Sequence, residues 1–234
     1  MVKQNAPLSG DRLALLEMML QEEGLAAEAS QAIPRRQAEG AQPLSFSQKR
    51  LWVLDQMEPG NPTYNIPAAI RLFGLLDVSA LQASLDAIIR RHESLRTTYT
   101  AVMGEPIQEI HDVPTLPLHI RDLSQLDAAE RETEALRLVH EEADQSFDLT
   151  RDLLIRVQLL RLGPEEHIFM VTMHHIASDG WSFTVFNQEL AQLYVANCRH
   201  EAAQLEPLPI QYADYAIWQQ SWLEDANLSA QLAY

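Results

Sequence analysis

The sequence predicts an α/β domain with an antiparallel component, on three observations. Helical and strand-like apolar patterns alternate irregularly from about residue 42 onward. Two apolar runs within LIRVQLLRLGPEEHIFMVTMHH flank the turn-forming LGPEE and read as a β-hairpin. The strict strand and helix alternation of a doubly wound nucleotide binder is missing.

Taken in order, Ser9 is an N-cap for residues 10–24, where Leu13, Leu16 and Leu20 fall on one helical face and Gly24 is the stop. The following AEASQAIPRRQAEGAQPLS mixes Ala, Gln, Pro and charge without a period, so residues 1–41 read as an amphipathic helix and linker, and a domain spans 42–234. SQKRLWVLDQM is helical, NIPAAIRLFG extended, VSALQASLDAIIRRHESL helical, PIQEIH and LPLHIRDL extended, and AAERETEALRLVHEEAD helical. After the hairpin, a helix from Trp181 carries Phe186, Leu190, Leu193 and Tyr194 as one stripe. In the last helix, Tyr212, Tyr215 and Trp218 form a packed aromatic row. The pattern is still helical at Tyr234, where the sequence reads as cut, while Met1 reads as a true start.

Composition limits the partners. With 17 Lys and Arg against 33 Asp and Glu, the formal charge is -16, so nucleic acid and anionic membranes are poor candidates. Cys198, the single cysteine, lies in the apolar LAQLYVANC and is expected to be a packed thiol, consistent with a reducing cytoplasm. Charges at Asp11, Arg12 and Glu17 interrupt any signal-like run.

The chemistry concentrates in MHHIASDGWS, residues 173–182. On a strand, successive side chains point to opposite faces, so His174 and His175 cannot share a pocket. His175 goes with Met173, Val171 and Phe169, and His174 with Thr172 and Met170. Gly180 permits a tight turn that brings Asp179 back toward the strand end. A histidine ahead of a helix N-terminus meets the positive end of the helix dipole, which favours a neutral ring able to accept a proton from an amine, hydroxyl or thiol. Asp179 orients a histidine or pairs with an arginine; spacing alone leaves both open, along with a purely structural histidine. Adjacent histidines on opposite faces are poor joint metal ligands, with no CxxC or HExxH beside them, and no GxSxG elbow carries a nucleophile.

Four stretches in order carry a resemblance. SFSQKRLWVLDQMEPGNPTYNIP, RRHESLRTTY, HHIASDGW and YADYAIWQQ resemble the motifs of condensation domains of nonribosomal peptide synthetases, HHxxxDG being the signature. The resemblance implies the N-terminal lobe of a chloramphenicol-acetyltransferase-like fold, an α/β sandwich with a mixed, largely antiparallel sheet, and a missing second lobe. It implies amide-bond formation between a peptidyl or aminoacyl thioester and an aminoacyl thioester, both carried on phosphopantetheine arms of upstream and downstream carrier proteins, beside an adenylation domain. The lobe would hold no cofactor or metal. By position, His175 would line the channel as base or positioner of the amine, and His174 would be structural. Asp179 would salt-bridge Arg91, with Arg96 as the second choice, and Gly180 would let the backbone turn. The opening motif and GWS resemble the subtype joining an L-donor to an L-acceptor. The alternatives are a truncated, non-catalytic lobe that docks carrier proteins, and a stand-alone coenzyme A-dependent acyltransferase of the same fold. Trp52, Leu51 and Leu54 are read as core, His92 and Glu93 as hydrogen-bonded scaffold, and His111, His119, His140, His167 and His200 as surface or satisfied residues.

Overall fold

A computed structural model describes residues 33–37 and 40–224. All but the first two of these belong to one compact unit, Arg35–Tyr234. The helix expected over residues 10–24 lies outside the described residues.

The chain joins the lobe at Arg35, earlier than the expected start at Gln42. Arg35 donates to the carbonyls of Leu208 and Pro209, and the Arg36 guanidinium bridges Glu93 (2.8 Å) and Asp214 (2.9 Å). Asp214 is buried, so a cation from the stretch read as linker supplies its counter-charge. Strand β1 (Gln42–Pro43) follows, then helix α1 (Phe46–Met57). A capping box starts α1: Ser45 Oγ accepts from the Gln48 amide, and Gln48 Oε1 accepts from the Ser45 amide at 2.9 Å. The Gln48 side chain also donates to the hydroxyl of the fully buried Tyr99 (2.9 Å), which fixes the start of α1 against the core.

β2 (Asn65–Phe73) leads into α2 (Val78–Arg91), capped by Asp77 accepting from the Ala80 amide. Leu81, Leu85, Ile88 and Ile89 form the buried stripe of α2, as its period requires. β3 (Thr97–Val102) and β4 (Glu105–Ile110) make a hairpin whose two-residue turn, Met103 and Gly104, has positive φ at both positions, 53° and 90°. β5 (Leu118–Asp122), α3 (Ala128–Asp144), β6 (Ile155–Gly163), β7 (Glu166–His174), α4 (Gly180–Cys198) and α5 (Tyr212–Glu224) complete the order.

Among the described residues the strands form two sheets, β1-β4-β3 and β2-β7-β6-β5. Every pairing is antiparallel except β5 with β6, which α3 joins as the crossover that a parallel pair needs. β2 is an edge strand, which is where Pro67 is tolerated. On one face of the larger sheet, α2 and α4 pack Leu85, Ile88, Phe186 and Leu193 against Phe169, Val171 and Met173. On the other, α3 packs Ala135 and Leu138 against Leu160, Ile168 and Met170. Helices thus cover both faces of a mixed, largely antiparallel sheet, the α/β sandwich the sequence leads one to expect. A third cluster, with Leu44, Leu51, Tyr99, Phe147 and Ile176, lies around the smaller sheet and includes the partly buried Trp52.

Three local expectations change. Cys198 is exposed, because it falls at the last position of α4, beyond the stripe that packs on the sheet. The aromatic row of α5 stacks on itself, with ring centres 5.5 to 6.1 Å apart from Tyr212 through Tyr215 and Trp218 to Trp222. It lies half-exposed, since the buried side of α5 is made by Ala213 and Ala216. His167 is buried with an Nδ1 that has no partner among the described residues, so it is neither surface nor satisfied.

Candidate active site

The site stands at the end of the central strand. In β7 every residue from His167 to His174 is buried, because both sheet faces are covered by helices. The strand ends at His174, whose amide donates to the Leu154 carbonyl (3.1 Å), and the next amide, of His175, donates to the Tyr64 carbonyl (2.8 Å). The chain then turns over residues 175–177, closed by the Ala177 amide and the Ser178 hydroxyl, both donating to the His174 carbonyl at 3.0 and 3.1 Å.

The two histidines part because β7 ends between them: His174 is its last residue and His175 the first of the turn. His174 is 4% exposed, edge-on to Phe147 and Tyr64 with ring centres 5.8 and 6.4 Å away. Its Nδ1 accepts from the Ile176 amide (3.1 Å), which places the proton of the neutral ring on Nε2. Burial, aided by neighbouring His175 and Arg156, pushes its pKa down to about 4. The ring is therefore neutral near pH 7, and it works as a packing and turn-fixing group. His175, one residue on, is exposed at the start of the turn.

Asp179 is the N-cap of α4. Its carboxylate accepts from the Ser182 amide and the Ser182 hydroxyl, both at 2.7 Å. Ser182's hydroxyl and amide hold this carboxyl below the usual carboxylate range, with smaller contributions from the Trp181 amide and from His175. α4 begins at Gly180, one residue before the expected Trp181. Gly180 is not in the left-handed region, and a Cβ built on it meets nothing within 4 Å. The backbone reverses at residues 175–177, so Gly180 is not needed for the turn; what it provides is open space at the head of α4.

The expected salt bridge of Asp179 with Arg91 or Arg96 is not present. Arg91 Nε donates to Glu189 (3.0 Å) and Nη2 to the Glu206 carbonyl (2.6 Å), while His92 Nε2 meets the other Glu189 oxygen at 2.6 Å. Glu189 lies ten positions beyond Asp179, about 15 Å along the helix, so an arginine held there cannot reach the cap. Arg96 donates to the carbonyls of His111 and Arg90. Both arginines are thus held by partners other than Asp179. Glu189 was missed from sequence, although a carboxylate flanked by Phe186, Leu190 and Leu193 on a buried stripe demands a cation. Among the described residues no group of three His, Cys, Asp or Glu is placed to hold a metal ion, and no helix is long and apolar enough to cross a membrane.

An exposed imidazole, a locked neutral neighbour, a capped helix and an unobstructed Gly180 can together present one nitrogen to a nucleophile brought from outside. Comparison with known proteins agrees in family. The condensation-domain model matches residues 38–234. A linear gramicidin synthase polypeptide of Brevibacillus parabrevis is 48% identical over 87% of this chain, and the phosphinothricin tripeptide synthetase PhsC of Streptomyces viridochromogenes 43% identical over 98%. The chain spans 3% and 21% of the lengths of those proteins. Among solved structures, the X-domain from teicoplanin biosynthesis is 35% identical with a TM-score of 0.74, over 84% of this chain and 41% of that one, and an X-domain has also been seen in complex with OxyB. The starter condensation domain of rhizomide synthetase shares the fold at 22% identity, with a TM-score of 0.73 over 83% of this chain and 47% of that one. With its mixed α/β lobe of chloramphenicol-acetyltransferase-like type and its HHxxxDG turn, the chain belongs to the condensation-domain family of nonribosomal peptide synthetases.

Proposed function

We propose that this lobe carries His175 for amide-bond formation between two carrier-bound thioesters. The observation that carries the reading is the split of the histidine pair: His174 is buried and bonded to the backbone, while His175 is exposed at the turn beside the open head of α4. The amine of a downstream aminoacyl thioester donates a hydrogen bond to His175 and attacks the carbonyl of the upstream peptidyl or aminoacyl thioester. A carbon–nitrogen bond forms and a carbon–sulfur bond breaks. The proton lost by the amine ends on the departing thiol of the upstream pantetheine arm. Holding both arms at one nitrogen supplies proximity, the largest contribution available to a site with so few reacting groups.

The substrates arrive on carrier proteins, an adenylation domain of the same synthetase loads them, and the lobe itself binds no cofactor. The chemistry takes place in the cytoplasm, and the opening motif and GWS favour an L-donor and an L-acceptor. The four ordered motifs support this over a stand-alone coenzyme A-dependent acyltransferase. A docking module without catalysis is the second reading, favoured by the likeness to an X-domain that has been seen bound to OxyB. The test is a full-length protein containing this segment, given two loaded carrier proteins. Peptidyl product observed by intact-protein mass spectrometry and lost in His175→Ala supports catalysis; carrier binding without product in the unaltered protein supports docking.

A further inference from the structure

A cavity of about 160 Å³ opens beside the turn, between the end of α2, β7 and the first two turns of α4. Its walls are largely apolar, with Ile88, Met173, Val185 and Phe186 on three elements, while His92, Ser178 and Ser182 in the lining each have a hydrogen-bond partner of their own. Trp181 stands at its rim, 76% exposed. Ser94 also lines it, and its hydroxyl makes no hydrogen bond among the described residues. The cavity is therefore a preformed apolar hollow with one polar group to spare, the usual character of a small-molecule subsite.

Its position indicates the occupant. Met173 lies two residues before His175, and Ala177, also in the lining, two residues after, so each Cα is within about 7 Å of that of His175. Met173 lines this cavity, whereas His174 lines a different hollow together with Leu54 and Tyr64. A thioester or amine reacting at His175 therefore has its own α-carbon substituent within reach of this cavity, and the ionisable residue in its wall, His92, is held by Glu189.

Resting on the condensation reading, we infer that this cavity is a specificity pocket, taking the apolar side chain of one of the two carrier-bound aminoacyl groups. The chemistry is the same whether that group is the donor or the acceptor. Val185 is the residue to vary, because it lines the hollow from the second turn of α4, clear of the Asp179 cap and of the turn residues.

The test uses the full-length protein containing this segment, with donor and acceptor carriers loaded in turn with alanine, valine or leucine while the other carrier is kept constant. Val185→Phe fills the hollow and should lower kcat/KM for leucine relative to alanine by about tenfold on one side, donor or acceptor, while Val185→Ala shifts the ratio the opposite way. The side that responds identifies the occupant. Equal changes for all three side chains on both sides overturn the pocket. If Val185→Phe does not fold, as judged by its melting curve, Val185→Ala alone decides. Absence of amide product from the unaltered protein with every pair is a different outcome, and it removes the condensation reading itself.

Discussion

Glu189 ties Arg91 and His92 to α4, and removing its charge is the sharpest check on how the site is braced. The side chains of Arg91, His92 and Glu189 are 20%, 21% and 10% exposed, at contact distances of 3.0 and 2.6 Å. Breaking a fully buried pair by deleting one partner costs roughly 3–5 kcal/mol. Here a fifth of the guanidinium side chain meets water, and Arg91 keeps the Glu206 carbonyl, so solvent screening brings the expected cost of Glu189→Gln down to about 2 kcal/mol. Equilibrium urea unfolding, followed by fluorescence and far-ultraviolet circular dichroism, measures it. A double-mutant cycle of Glu189→Gln with Arg91→Met should give a coupling energy of about 1 kcal/mol or more. The parallel cycle of Asp179→Ala with Arg91→Met should be additive within about 0.5 kcal/mol, since separated groups without shared partners do not couple. Strong coupling in the second cycle and none in the first would refute the arrangement of charges described above and restore Asp179 as the partner of Arg91.

Three further outcomes are expected. His174 is held near pKa 4 in the fold against an unfolded value of 6.5, so the unfolded chain binds more protons between those limits and stability falls as pH drops from about 6.5 toward 4. The loss is on the order of 3 kcal/mol, and His174→Asn, which keeps an acceptor for the Ile176 amide, should flatten that part of the stability profile measured by urea titration. His175→Ala should leave the urea midpoint within experimental error, because the side chain is exposed, yet reduce amide formation at least a hundredfold, within the range that general acid–base catalysis contributes; equal activity removes His175 from the reaction. Gly180→Val should fold, since a Cβ there meets nothing within 4 Å, and still lose condensation by obstructing approach to the turn; undiminished turnover would show that the open space is not used.

Much of the lobe was legible because its signals are local. The stripe of Leu81, Leu85 and Ile88 gives α2, and LGPEE between two apolar runs gives the β6–β7 hairpin, which pairs from Ile155↔Met173 down to Gly163↔Glu166. The alternation argument expected the two histidines to separate on a strand, whereas their different burial comes from the end of β7 at His174, which leaves His175 in the turn. β3 went unassigned because its buried positions include Thr97 and Thr98, polar residues that hide the pattern, and its turn carries a methionine where Asn or Gly is the usual sign. The arginine partner was misjudged for a different reason. Charge pairing joins elements far apart in sequence, and nothing near Asp179 or Arg91 records that α2 meets α4 at Glu189 and not at its cap. Arg36, in the stretch read as a linker, became a counter-ion for the same kind of reason.

The ladder between β2 and β7 has a consequence for the order of folding. It pairs Asn65 with His174, while β6 and β7 are neighbours along the chain. A hairpin closes in about 1–10 μs, whereas a pairing that shuts so long a loop must first overcome its closure entropy. The His175 amide is tied to Tyr64, immediately ahead of β2, so the histidine turn acquires its final place only when that slow strand docks. An emerging lobe can therefore hold a finished hairpin and no site. Substitutions along β2 that retard docking would lower the yield of competent molecules while leaving the turnover of each one that matures unchanged.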